Sequence, residues 1–193
     1  MYIFHIDAAT MIVLLSWAIV FSVYLVLGFT NKRTRVRDRF LSRLWYNAAT
    51  VLSYLLMFYP GPFGSLLGKA WIQRGVVEES LGAALAVLGG AIAIWARLSL
   101  GRNWSMVVTV KENHRLVQAG PYTWIRHPIY TGLITAMTGT ALINRRCSGI
   151  LALLLMATAF FIKSRIEERF MRRTFGQQYD EYCANSGAFL PRL

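Results

Sequence analysis

Residues 8–29, "AATMIVLLSWAIVFSVYLVLGF", carry no charged side chain. A run of about 20 such residues is long enough to cross the hydrocarbon core as one helix. The competing reading is a cleaved signal peptide. That reading fails because the run has no basic flank before it and is too long. It also ends in "NKRTRVRDR" instead of a small-residue cleavage site. A retained transmembrane helix is expected.

The rest of the 193-residue chain repeats the pattern. It is 55% hydrophobic, with a mean hydropathy of +0.42, which is more apolar than a soluble domain of this size. Further spans are expected at about 45–67, 80–98, 129–143 and 149–162. The "PGP" at 60–62 ends or kinks the second, because proline removes a donor and clashes with the preceding turn. The third is rich in Gly and Ala, which lets helix backbones approach closely in lipid. The fourth and fifth are short and joined only by "NRRCSG", so they form a hairpin. No repeat divides the chain. The fold expected is all-α: one polytopic membrane domain, 1–193, of about five helices.

The net charge of +12 would suit nucleic acid if it were gathered on one soluble surface. It is instead split between the loops. Segments 31–43, 97–126 and 163–192 hold 17 of the Lys and Arg residues, against 4 in 68–79 and 144–148. With five spans the rich segments share one face, which the positive-inside rule makes cytoplasmic, with the N-terminus outside. The charge is explained by anionic head groups, without nucleic acid. Cys147 and Cys183 stand far apart with no His or Cys at metal spacing, so neither a zinc site nor a disulfide framework is expected.

The unusual polar residues lie on that same face, in "KENHRLVQAGPYTWIRHPIYTG" (111–132) and "KSRIEERFMRRTFGQQYDEY" (163–182). A short hairpin brings its own two ends together. Arg126, His127 and Tyr130 should therefore lie near Lys163, Glu167 and Glu168. Each residue also has a plain reading. Pro128 suits the first turn of a helix. Arg126, Tyr122, Trp124 and Tyr130 suit an interfacial belt. Glu168 suits local pairs with Arg165, Arg169 and Arg172. Glu167 and Glu168, about 100° apart on a helix, are expected to point in different directions.

The two blocks "HRLVQAGPYTWIRHPIYTG" (114–132) and "EERFMRRTFGQQYDEY" (167–182), with Pro191 beyond them, resemble the isoprenylcysteine carboxyl methyltransferase family and its phospholipid methyltransferase relatives. The resemblance implies an integral membrane enzyme that uses S-adenosylmethionine and releases S-adenosylhomocysteine. Its cofactor pocket would be cytoplasmic, formed by segments 99–130 and 163–182. Carried over by position, His114, Arg115, Leu116, Val117, Tyr122, His127, Pro128, Ile129, Tyr130 and Glu167 bind the cofactor. Lys163 stands where the family has a substrate-binding Arg, and it keeps the charge without the fork. Arg126 or Lys163 would hold the carboxylate of a lipid-anchored or isoprenoid substrate. The substrate would enter from the bilayer beside the Gly/Ala-rich third span. Rival readings are a phospholipid N-methyltransferase, an NADPH-dependent sterol-reductase-like enzyme, and a non-catalytic lipid-binding protein.

Overall fold

The computed structural model describes residues 7–29, 34–37, 40–59, 67–73, 75–101, 109–111 and 116–192. Its elements are α1 (Ala8–Gly28), β1 (Thr34–Arg37), α2 (Phe40–Phe58), α3 (Val76–Leu100), β2 (Thr109–Lys111), a 3-10 turn (Gly120–Thr123), α4 (Pro128–Asn144), α5 (Cys147–Phe175) and α6 (Gln177–Asn185). Among the described residues, α1, α3 and α5 are long and apolar enough to cross a membrane. The architecture is helical, with one small addition: β1 and β2 pair antiparallel, Val36 opposite Val110.

Each helix boundary has a local cause. Asp7 caps α1, its Oδ1 accepting from the Thr10 amide at 2.8 Å. α2 ends at Phe58, just before Pro60, earlier than the expected 67. Pro128 sits at the first position of α4, where no intrahelical N–H is required. Arg145 closes α4 in the left-handed region, φ 57°, and so makes the tight reversal into α5.

α5 departs from expectation. The polar tail is expected to be helical up to about Tyr182, and it is helical, with a break at Gly176 before α6. The apolar run 149–162 does not end as a short span: it is the first half of one unbroken 29-residue helix that carries Lys163, Glu167 and Glu168 on its second half. At 1.5 Å per residue that helix is roughly 40 Å long.

The five long helices run between two ends of the molecule. At one end β1 meets β2, and Arg97 of α3 donates to the Leu27 carbonyl of α1 and the Gly101 carbonyl, both at 2.7 Å. At the other end the Trp71 amide donates to the Arg145 carbonyl at 2.9 Å, and the Cys147 amide to the Lys69 carbonyl at 3.0 Å. The described parts of the three basic segments therefore gather at the first end, and the sparse ones at the second.

The packing follows the small residues. Gly82, Gly89, Gly132 and Gly139 line the α3–α4 seam. A Cβ added at Gly132 would stand 2.6 Å from the Gly89 carbonyl oxygen. This overturns the idea of an entry route beside the third span: its glycines face backbone on α4, and Gly90 faces Val20 of α1. α1 buries Val13, Trp17 and Val20 at helical spacing, while Leu15, Ile19, Leu25 and Val26 stay exposed. Trp17 Nε1 donates to Thr140 Oγ1 of α4 at 2.9 Å. Asn144 donates to the Met57 carbonyl of α2 at 2.8 Å. Such bonds are worth about 0.6–2 kcal/mol each in a bilayer.

Candidate active site

The site forms where the segment before α4 meets the second half of α5. Three devices hold that segment. The first is a backbone zipper: the Arg126 amide donates to the Gly187 carbonyl at 2.8 Å, the His127 amide to the Ala188 carbonyl at 3.0 Å, and the Gly187 amide to the Trp124 carbonyl at 3.0 Å. The second is Tyr182 of α6, whose hydroxyl donates to the Tyr122 carbonyl at 2.6 Å. Burial pushes the Tyr182 phenol up to about 12, so it stays a neutral donor. The third is Arg126. Its Nε donates to Glu168 Oε1 at 2.9 Å, and its Nη1 donates to the Ser186 and Cys183 carbonyls.

His127 is the hub. It is buried, and each ring nitrogen faces a different carboxylate: Nδ1 stands 3.5 Å from Glu167 Oε2 and Nε2 stands 3.4 Å from Glu168 Oε1. A carboxylate only accepts, so both contacts are hydrogen bonds when the ring carries both protons. Burial lowers the imidazole pKa, but the hydrogen bonds and charges of Glu167 and Glu168 outweigh it and raise the pKa above 6.5. The ring lies parallel to Tyr130 at 5.5 Å, and Tyr130 stacks on Phe160 of α5 at 4.6 Å. Phe189 also lies against the His127 ring, tilted, at 5.7 Å.

Glu167 and Glu168 correct the sequence reading. Glu168 does not turn to Arg165, Arg169 or Arg172. It is 3% exposed and binds Arg126 and His127. Glu167 reaches the same imidazole from its neighbouring direction, and its Oε1 accepts the Tyr130 hydroxyl at 2.6 Å. Two carboxylates about 100° apart converge because the ring between them offers two nitrogens on opposite edges.

One turn before Glu167, Lys163 is buried, with its Nζ 5.2 Å from the Tyr46 ring centroid and 5.3 Å from that of Tyr130. Tyr122, Pro128, Ile129 and Tyr130 are buried around the same junction, and Leu116 and Val117 are half-buried at its approach. His114 and Arg115 lie outside the described residues. Among the described residues no cluster of His, Cys, Asp and Glu could hold a metal ion.

Sequence reasoning missed Tyr46, Phe160 and the 186–189 strap. Tyr46 lies more than 100 residues from Lys163, and an aromatic at helical spacing gives no signal beyond core packing. The strap pairs through its backbone at Gly187 and Ala188, which leaves no mark on residue types, and adds the Phe189 ring beside His127.

The profile of the phospholipid methyltransferase family matches residues 77–178, just over half of the chain and all of the α3–α5 frame that carries the site. The chain belongs to the phospholipid methyltransferase family. Within it, the chain is 29% identical over 148 residues to protein-S-isoprenylcysteine O-methyltransferase B of Arabidopsis thaliana, covering 74% of this chain and 70% of the relative. It is 34% identical over 153 residues to the corresponding Tribolium castaneum protein, covering 76% and 51%. A solved eukaryotic intramembrane Ras methyltransferase, isoprenylcysteine carboxyl methyltransferase, superposes with a TM-score of 0.55 at 28% identity, covering 76% of this chain and 52% of that one. The chain thus spans about half to 70% of the length of these relatives. Its apolar helices and this neighbour make it an integral membrane protein.

The raised pKa of His127 has a consequence for stability. A group whose pKa rises on folding contributes stability that is complete below its unfolded pKa and is lost as pH climbs through the folded value. Thermal unfolding in detergent should therefore show wild type well above His127→Gln at pH 5.5–6. The gap should shrink steadily from pH 6.5 upward. A constant gap to pH 9 would mean that folding leaves the pKa of the ring unshifted.

Proposed function

We propose that the chain is an S-adenosylmethionine-dependent carboxyl O-methyltransferase acting on a prenylcysteine-like lipid at the cytoplasmic face of the membrane. The observation that carries this reading is the meeting of Glu167, His127 and Tyr130 at the mouth of α4, with the Lys163 ammonium one turn deeper. A polar methyl donor and an apolar acid meet at such an interface.

The donor set suits the cofactor. Glu167 has both oxygens held, one by Tyr130 and one by His127, and its side chain keeps 25% exposure. A carboxylate fixed this way accepts from an ammonium or a ribose diol. The aromatic faces of Tyr122 and Tyr130 suit a cation or an adenine ring. His114, Arg115, Leu116, Val117, Pro128 and Ile129 complete the proposed cofactor set. The cofactor supplies an electrophilic methyl group on a sulfonium.

The residues then have separate tasks. Lys163 holds the substrate carboxylate. Arg126 is engaged by Glu168 and two carbonyls, so it braces the site and leaves the substrate to Lys163. A terminal carboxylate, of pKa about 3.3–3.7, arrives ionised and needs no base. Amine methylation would need one. The candidates are His127, whose two ring nitrogens both face carboxylates, and Glu168, which binds Arg126 and His127. Both are already engaged with protein partners, which favours the acid. Alignment of nucleophile and methyl group supplies several kcal/mol, with an upper range near 7–11.

The chain is read as one domain with five spans, α1 to α5, the N-terminus outside. Segregation of the basic segments to the site end supports that orientation. The lipid chain is placed on the α2 side, where an apolar groove of about 530 Å³ runs past Leu44, Val51, Leu52 and Leu55, with Arg43 and Asn47 at its head.

The test is purified protein in detergent with labelled S-adenosylmethionine and a panel of N-acetyl-farnesylcysteine, isoprenoid acids and aminophospholipids. Label is expected in base-labile ester on the acids, with no rise in rate between pH 6 and 8. S-adenosylhomocysteine should raise the melting temperature and NADPH should not. Label in the aminophospholipids, rising with pH, would overturn the proposal.

A further inference from the structure

We propose that the outward face of α5 docks anionic phospholipid head groups through Arg165, Arg169 and Arg173. This needs only that α5 crosses a membrane, so it stands or falls apart from the methyl-transfer reading. At 3.6 residues per turn, one stripe about 120° wide runs the length of the helix. In the first half it shows Leu151, Leu154, Phe161 and Ile162, all exposed and apolar, the face that lipid chains cover. Thr158, on the same stripe, turns its hydroxyl back to the Leu154 carbonyl at 2.8 Å. In the second half the stripe shows Arg165, Arg169, Arg172 and Arg173, all exposed. It changes from apolar to cationic within one turn.

The charge on this row is left for an outside anion. Arg172 is paired, its Nε 3.1 Å from Asp180 Oδ1. Among the described residues Arg165, Arg169 and Arg173 have no carboxylate partner. The two carboxylates of this half of α5, Glu167 and Glu168, turn to the other side, toward Tyr130, His127 and Arg126. The Arg165 guanidinium lies 5.0 Å from the Phe161 ring centroid, at the last apolar turn. A ring supplies no counter-charge. From Arg165 to Arg173 the helix rises about 12 Å, enough to cross the polar layer of one leaflet, about 5–8 Å thick. Guanidinium groups take two phosphate oxygens at once.

The occupant is a lipid and not a soluble anion because the row continues a surface that acyl chains already cover. A phosphate there arrives with its chains seated on Phe161 and Ile162. Head groups held along the row clamp the half of α5 whose opposite face carries Glu168, and so fix the depth of the site in the bilayer.

The experiment titrates the full chain in neutral detergent with dioleoylphosphatidylglycerol, dioleoylphosphatidylcholine or inorganic phosphate and follows thermal unfolding. Wild type should show an apparent affinity for phosphatidylglycerol about tenfold above that for phosphatidylcholine, and little response to phosphate. Arg165→Gln, Arg169→Gln and Arg173→Gln together should bring the two lipids to within about twofold of each other. The corresponding three Arg→Lys changes should keep most of the preference, because they keep the charge. Lys69→Gln with Arg146→Gln, at the other end of the molecule, should leave it unchanged.

Equal affinity of wild type for the two lipids overturns the proposal. So does a triple glutamine variant that keeps its preference, which would place the preference on the other basic segments. Stabilisation by inorganic phosphate equal to that by phosphatidylglycerol overturns it as well, since the occupant would then be a soluble phosphate. If the triple variant does not fold, Arg169→Gln with Arg173→Gln should still lower the preference several-fold, and no loss there overturns the proposal.

Discussion

Glu168→Ala is expected to cost roughly 3–5 kcal/mol of stability, the range seen when one partner of a buried ion pair is removed. The carboxylate sits between Arg126 and His127 with 4% of its side chain exposed. Without it the Arg126 guanidinium remains in a buried setting, its charge balanced only by the partial charges of carbonyls. His127 loses one of its two counter-charges. For a chain of this size each kcal/mol is worth about 2–4 °C, so the melting temperature in detergent should fall by about 10 °C. Glu168→Gln keeps an acceptor for both neighbours and should fall by less. A melting point within 2 °C of wild type for Glu168→Ala would mean that Arg126 is held adequately by the Ser186 and Cys183 carbonyls alone.

Its neighbour should behave differently. Glu167→Gln is expected to lower kcat/KM on the order of 10–100-fold, the value of one charge-assisted hydrogen bond. The loss should lie in binding of S-adenosylmethionine. The glutamine still accepts from Tyr130 through its carbonyl oxygen, so the aromatic stack of His127, Tyr130 and Phe160 persists. The variant should fold but melt somewhat below wild type, because its NH2 group then faces the His127 Nδ1 edge in place of a carboxylate oxygen, and it should lose the stabilisation given by S-adenosylhomocysteine. An unchanged cofactor KM would remove Glu167 from the proposed cofactor set. Together the two variants separate adjacent carboxylates by phenotype: one lost from the fold, the other from the chemistry.

Much of this arrangement is legible in residue order, because lipid imposes its own grammar. An uncharged run such as 8–29 has few fates. The tight "NRRCSG" link forces 126–130 and 163–168 to the same end, and the contacts of Arg126, His127 and Tyr130 with Glu167 and Glu168 follow from that. The helical tail is legible too, because Lys, Arg and Glu are good helix formers. Hydropathy does not show that the apolar run ending at Ile162 and that tail are one helix as far as Phe175. Glu168 looks like a surface residue from its local charges and is buried by partners 41 and 42 positions away. Tyr46 and the strap were beyond reach for the same reason: what they touch is set by tertiary packing, not by neighbours in sequence.

The glycine seam between α3 and α4 has a mechanical consequence. Two helices whose backbones nearly touch cannot slide or part without losing their whole contact at once, so they form a fixed rail through the bilayer. Under the proposed function, any breathing that admits a greasy tail comes from the opposite flank, where α2 meets α5 through side chains such as Tyr46 and Ile166 instead of through backbone. A bridge that locks α3 to α4 should therefore leave turnover intact, and one that locks α2 to α5 should stall it.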